Sequence, residues 1–255
     1  MNMAYLTLTP ETLDDAHICC AFSDKKCQAS YQAKKQWLKQ EYQRGYRFRR
    51  LDERAKVFIE YGPAETAWQP IQADGYLALG CFWVSGKYKG HGHGKQLLAD
   101  AIEAAKQQNK QGLVAVVGKK KYHFMSDTKW LKGQGFNVAD EAHNGFVLLY
   151  YPLNDAAEIP QFRESVHTAN VSTEGCVAYY SHRCPYAEYH VLNSLQQSCA
   201  QRGIPLEVHH LETLSQAQAC PSPATIFSLY YQGEFITTDI SVCMESRFDK
   251  LIPHH

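Results

Sequence analysis

Tyr76-Leu77-Ala78-Leu79-Gly80-Cys81-Phe82-Trp83-Val84-Ser85-Gly86-Lys87-Tyr88-Lys89-Gly90-His91-Gly92-His93-Gly94-Lys95, running on to Lys106, is the stretch that decides the fold of this 255-residue chain. The run from Tyr76 to Val84 is apolar throughout and ends in aromatic and β-branched side chains, the composition of a strand covered on both faces. Ser85-Gly86 breaks it, and from Gln96 the apolar positions Leu97, Leu98, Ile102 and Ala105 recur at helical spacing. Gly90, Gly92 and Gly94 therefore stand in the loop that opens a helix. The first N–H groups of a helix have no internal partners and lie at the positive end of its dipole, so they favour an anion. Glycines there keep side chains away from the backbone and permit a cradling turn. The local chemistry predicts a phosphorylated ligand.

Two familiar phosphate loops do not fit. A P-loop would need glycine where Lys89 stands and serine or threonine where Gln96 stands, and the dinucleotide fingerprint would need glycine at Lys95. Lys89-Gly90-His91-Gly92-His93-Gly94 instead resembles the acetyl-CoA pyrophosphate loop of the GNAT family of N-acetyltransferases, with lysine in place of the first arginine or glutamine. The Gly133-Gln134-Gly135-Phe136 step and the apolar run Gly145 to Tyr151 resemble the ending of that domain. The resemblance implies a mixed, twisted α/β sheet with helices on both faces. It also implies acetyl-CoA as co-substrate, its pyrophosphate held by Lys89, Gly90, His91, Gly92, His93, Gly94 and Lys95. Phe82, Trp83 and Val84 would line its pantetheine arm.

The composition is 45% hydrophobic and 20% charged, with 26 basic against 26 acidic residues, and no overall field favours nucleic acid or an anionic membrane. Lys119-Lys120-Lys121 is the sharpest local cluster, either a solvated strand end or an attractor for the 3′-phosphate of coenzyme A. Met1 to Pro10 lacks a leader's basic start and apolar core, and no apolar run reaches membrane-spanning length, so a cytoplasmic protein is expected. Most of the nine cysteines, which lack zinc-type pairs, read as thiols in a reducing compartment. Cys19, Cys20 and Cys27 do not all converge from one helix, and no metal is expected.

In chain order, Tyr5 to Thr9 predicts an edge strand and Thr9-Pro10-Glu11-Thr12 a helix start. Gln28 to Arg44 predicts a helix with Tyr31, Ala33, Trp37, Leu38 and Tyr42 as its stripe, in the region that covers the acceptor site in the resembling family. Arg47 to Leu51 and Lys56 to Tyr61 predict a hairpin carrying Glu60, which either faces solvent or takes a proton from the acceptor amine. Glu65 and Trp68 would line the acceptor mouth. Leu113 to Val117 predicts a strand and Ser126-Asp127-Thr128 the start of a short helix. Many GNAT enzymes carry a tyrosine where Leu131 stands, so the proton returned to the thiolate would come from Tyr122, His123 or water.

Pro152 to Glu174 is polar and patternless, the composition of a linker. Beyond it, Cys176 to Tyr180 predicts a strand, Glu188 to Arg202 a helix, Pro205 to Leu211 a strand, and Ile226 to Tyr231 with Glu234 to Ile240 a hairpin around Gln232-Gly233. A last helix would hold Phe248, Leu251 and Ile252. This order resembles the thioredoxin and glutaredoxin fold, with Pro223 where that family has its cis-proline. Cys184-Pro185-Tyr186-Ala187 resembles the glutaredoxin motif with its second cysteine lost. Arg183, His182 and a helix start would favour the Cys184 thiolate. Its role is open between monothiol chemistry, substrate binding and structure, and Cys220 is a candidate disulfide partner. The two parts together resemble the YoaP-like GNAT acetyltransferases, with an acetyltransferase domain over 1–153, a linker over 154–173 and a thioredoxin-like domain over 174–255.

The reading is an N-acetyltransferase moving an acetyl group from acetyl-CoA to a small-molecule or peptide amine by direct attack on the thioester. Glu60, Tyr122 and Cys184 are its candidate catalytic residues, and a homodimer is compatible with it. The alternative is an acyl-CoA-sensing binding protein or a monothiol redox protein using Cys184.

Overall fold

In the computed structural model the described residues are 4–168 and 170–253. Residues 1–3, where the stretch read for a leader begins, and residue 169 of the expected linker lie outside them. The chain forms β1 (Tyr5–Thr7), α1 (Gln28–Gln43), β2 (Arg47–Leu51), β3 (Val57–Pro63), β4 (Ile71–Gln72), β5 (Tyr76–Val84), α2 (His93–Gln107), β6 (Gly112–Gly118), α3 (Thr128–Gly133), β7 (Asn137–Glu141) and β8 (Phe146–Pro152). Then come β9 (Gln161–Phe162), α4 (Ser165–Thr168), β10 (Cys176–Tyr180), α5 (Pro185–His190), a π turn, α6 (Gln196–Gln201), β11 (Leu206–His210), α7 (Leu214–Gln218), β12 (Phe227–Tyr231), β13 (Glu234–Thr237) and α8 (Glu245–Leu251).

Seven strands make a mixed sheet in the order β1-β2-β3-β5-β6-β8-β7. Only β5 and β6 run parallel, because α2 carries the chain across between them. The apolar run predicted at 76–84 is β5 to the residue. α2 buries Leu97, Leu98, Ala101 and Ala105 on one face of the sheet, at a spacing that follows from 3.6 residues per turn. α1 covers the other face with Tyr31, Trp37 and Leu38. No helix forms at Thr9: Leu13 N–H reaches the Thr9 carbonyl at 3.0 Å, but the segment stays in turns. Asp127 caps α3 by accepting from Trp130 N–H, as its position suggested.

Four strands make a second sheet, β11-β10-β12-β13, with β10 and β11 parallel and the rest antiparallel. Along β10 the side chains alternate. Cys176, Ala178 and Tyr180 pack with Val191, Leu195 and Phe248 under the helices. Val177 and Tyr179 join Trp37, Phe48, Phe58 and Trp68 of the first half in one continuous core. The two halves are therefore fused through apolar packing.

The stretch read as a linker is pinned down. β9 pairs with β4, Phe162 N–H donates to Asp140 at 2.8 Å, and Arg163 Nε donates to the Ile71 carbonyl at 3.0 Å. The polar composition concealed this because the pinning partners, β4 and Asp140, lie in other segments of the chain. The helix expected from Glu188 begins at Pro185 and passes through a π turn at Val191–Leu195. The peptide before Pro223 is trans, against the expectation drawn from the resemblance.

Candidate active site

β5 and β6 pair only between Tyr76–Ala78 and Gly112–Val114, while β5 continues to Val84 and β6 to Gly118. The strands splay beyond Ala78, and the wedge leaves main-chain groups without cross-strand partners on their facing edges. On its other side β5 stays paired with β3, but Tyr61 faces Leu79 and Ile59 faces Phe82. β5 thus carries one extra residue at Gly80-Cys81, opposite Glu60.

The glycine loop closes the wide end of the wedge. Gly90 and Gly92 have φ of 81° and 83°, the left-handed region that L side chains avoid. Gly92 is the N-cap of α2 and supplies no side chain to cover the first N–H groups. Lys89, His91 and Lys95 flank it, and the His91 Nδ1 donates to the Lys89 carbonyl at 2.9 Å. His93 turns inward instead: it is buried, bonded through Nδ1 to Tyr5 at 2.7 Å and packed against Tyr88. Only its main chain is left for a ligand. A Cβ at Gly94 would meet Trp130 at 3.4 Å, and Trp130 in turn lies edge-on to Phe82.

A cavity of about 480 Å³ opens beside this wedge, between the two halves. Phe82, Trp83 and Cys81 of β5 line one side, Lys34 and Cys20 another, and Arg183, Cys184 and Thr225 of the second half close it.

Glu60 is 1% exposed, which overturns the solvent-facing alternative. It accepts from Lys34 Nζ at 2.5 Å and from the Tyr46 hydroxyl at 2.9 Å. Burial alone would depress the Lys34 pKa, but the Glu60 carboxylate outweighs it and holds the ammonium above its usual range. A Cβ at residue 80 would overlap the Tyr46 oxygen, so glycine is what lets this network approach β5. Lys34 and Tyr46 were not anticipated. Their one sequence signal was a lysine on the apolar side of α1, a helical turn from Tyr31 and Leu38.

Tyr122 is not brought to the cavity. Its hydroxyl donates to the Asn144 carbonyl at 3.0 Å, and its ring packs against Phe146 and Phe235. His123 does line the cavity, with Nε2 3.8 Å from Asp239. Leu131 is fully buried in the α2 core. Glu65 turns away from the expected acceptor mouth to accept from Gly75 N–H at 2.9 Å and pair with Lys110.

Cys184 lines the cavity, but burial pushes its thiol up to about 12, reversing the expectation of a favoured thiolate. Arg183 does not offset this, because its Nη1 donates to the Trp68 carbonyl at 3.2 Å and to Thr225 at 3.0 Å. Cys20 and Cys81 are likewise raised to about 12 by burial, so the thiols around the cavity are neutral walls. Cys184 and Cys220 pack in the cores on opposite faces of the second sheet, which removes Cys220 as a candidate disulfide partner.

The family model described as "Acetyltransferase (GNAT) family" matches residues 12–123, and the one described as "YoaP-like" matches residues 205–250. The "Uncharacterized N-acetyltransferase YoaP" of Bacillus subtilis (strain 168) is 37% identical over 250 residues, 98% of each chain. Among solved structures, PaiA N-acetyltransferase from Thermoplasma acidophilum in complex with coenzyme A is 16% identical, covering 60% of this chain and 99% of that one, with a TM-score of 0.42. The GNAT family N-acetyltransferase YhbS from Escherichia coli in complex with CoA is 13% identical, covering 64% and 90%, with a TM-score of 0.41. No helix among the described residues is long and apolar enough to cross a membrane.

Proposed function

The chain belongs to the GNAT family of N-acetyltransferases, in its YoaP-like branch, and we propose that it transfers the acetyl group of acetyl-CoA to an amine held in the cavity between its two halves. The observation that carries this reading is the splay of β5 from β6 beside an uncapped, glycine-opened start of α2. The loop fits a pyrophosphate: Gly90 and Gly92 have open space above them, and the first N–H groups of α2 take no side-chain cap. Lys89 and Lys95 would add charge, and the 82–84 main chain would hold the pantetheine arm. Bound there, acetyl-CoA supplies an activated thioester.

The residues of this chain then act by placement. Holding amine and thioester together removes most of the entropic part of the barrier. Main-chain N–H groups of β5 at its extra residue would receive the charge that develops on the carbonyl oxygen. Glu60 has its two oxygens engaged by Lys34 and Tyr46, so we assign it to holding that pair in place, and the amine proton leaves through water. Cys184 forms a neutral wall.

We further propose the division 1–153, 154–173 and 174–255, with a thioredoxin-like second domain. The strand order β11-β10-β12-β13, with only the first pair parallel, supports it. The test is amine-dependent release of the coenzyme thiol across a panel of primary amines. Release that survives Cys184→Ser is expected. Acetyl-CoA binding without release to any amine would overturn the enzyme reading, and release lost with Cys184→Ser would move the chemistry to the thiol.

A further inference from the structure

Arg183 is 4% exposed and lines the cavity, yet no carboxylate among the described residues forms an ion pair with it. The two buried carboxylates in this region are already matched: Glu60 with Lys34 at 2.5 Å, and Glu41 with Arg44 at 2.8 Å. A guanidinium cannot shed its proton to escape burial, so a buried one without a paired counter-charge carries an unmet electrostatic demand. Its Nη1 is anchored by the Trp68 carbonyl and the Thr225 hydroxyl, both neutral acceptors; its charge also reaches the Glu41 carboxylate, which burial raises and this charge lowers, but Glu41 makes its ion pair with Arg44 and not with Arg183. Thr225 itself donates to the same carbonyl, so the anchor spans the two halves.

The surroundings sharpen the demand. Lys56 also lines the cavity and has no ion pair among the described residues. Gln69 is 8% exposed and faces the cavity, with no hydrogen bond from its side-chain amide among the described residues. The thiols of Cys20, Cys81 and Cys184 on the walls stay protonated and contribute no negative charge. An excess of positive charge therefore faces a cavity of about 480 Å³ in which the acceptor must sit next to the reacting thioester.

We infer that the acceptor is a small amine that also carries a carboxylate, and that Arg183, with Gln69 beside it, holds that carboxylate while the amine faces β5. The inference rests on the acetyltransferase reading above. It gives the C-terminal half a defined role, which is to supply the charge that selects the acceptor. A guanidinium suits a carboxylate because its planar donors match both oxygens at once. A peptide carries an amide where a free amino acid carries its α-carboxylate, and a plain amine would leave Arg183 without an ion-pair partner.

The test uses the full chain with saturating acetyl-CoA. Transfer is measured to a panel of free amino acids, to their carboxamides, to the corresponding decarboxylated amines and to short peptides. At least one amino acid is expected to exceed its own amide and amine by a hundredfold or more in kcat/KM. In Arg183→Met that preference should vanish through a raised KM, and Arg183→Lys should restore part of it. Calorimetry on the same variants should find acetyl-CoA affinity within twofold of the parent, which also verifies that they fold. Equal rates for acid and amide, transfer only to peptides or plain amines, or an undiminished preference in Arg183→Met would each overturn the inference. So would acetyl-CoA binding with no transfer to any carboxylate-bearing amine. Failure of acetyl-CoA to bind at all would instead overturn the reading beneath it.

Discussion

Residues 76–107 and 176–201 are built alike, a buried strand, a tight turn and a helix start, and their turns meet opposite surroundings. At the first, Gly90 and Gly92 are exposed, no side chain caps α2, and charged groups flank the opening. At the second, Arg183 and Cys184 are covered by the first half, and the thiol is raised to about 12. A turn before a helix offers its own N–H groups to an anion only where solvent and ligand reach them. Placed under another sheet, the same local chemistry becomes a wall and an anchored cation.

Dryness on the covered side is the property to break first. Replacing Lys34 by methionine strands the Glu60 carboxylate at 1% exposure, and should cost about 3–5 kcal/mol of unfolding free energy. Chemical denaturation measures it, and a loss below about 1 kcal/mol would mean that water relieves the site.

Next in size is thiol reactivity. With its pKa near 12 against an ordinary 9, Cys184 in the native protein should alkylate at neutral pH roughly a thousandfold more slowly than a free thiol. Mass spectrometry after timed labelling reads this. Rapid labelling at Cys184 would erase the contrast between the two turns.

The smallest effect separates two neighbouring histidines on the second half. The hydrogen bond that its Nδ1 donates to the Glu188 carboxylate raises His182, whereas burial lowers His210, whose ring lies 4.4 Å away. His182 therefore adds stability that is present below the ordinary 6.5 and lost as pH rises through its raised value. His210 adds stability that is present above 6.5 and lost as pH falls through its lowered value. An NMR titration should find His182 titrating at the higher pH. Glu188→Gln should bring it down towards 6.5.

Much of this was readable in the chain because it is local. The β5 run, the glycine loop and the α2 stripe each follow from the period of one element, and β5 ends where its apolar run ends. The cavity was not readable, because it is assembled from distant segments: α1, β5 and the turn after β10 meet only in the folded chain. Cys184 was misjudged for the same reason. Its neighbours in sequence argue for a thiolate, and its neighbours in space remove the water that a thiolate needs. Tyr122 looked available until Asn144, 22 residues away, took its hydroxyl. Besides the lysine on the apolar side of α1, glycine at 80 was a visible trace of the buried network, since a gap in an apolar strand marks where something approaches it closely.

The most direct measurement is calorimetric titration of acetyl-CoA into the parent chain and into Gly92→Val. Valine at φ 83° is sterically disfavoured, and a Cβ there would stand in otherwise open space above the α2 N–H groups. Saturable binding by the parent, weakened about a hundredfold or more in a variant that keeps its thermal transition, is the result this account predicts. Equal affinity in the two proteins would contradict it and place the coenzyme somewhere other than the start of α2.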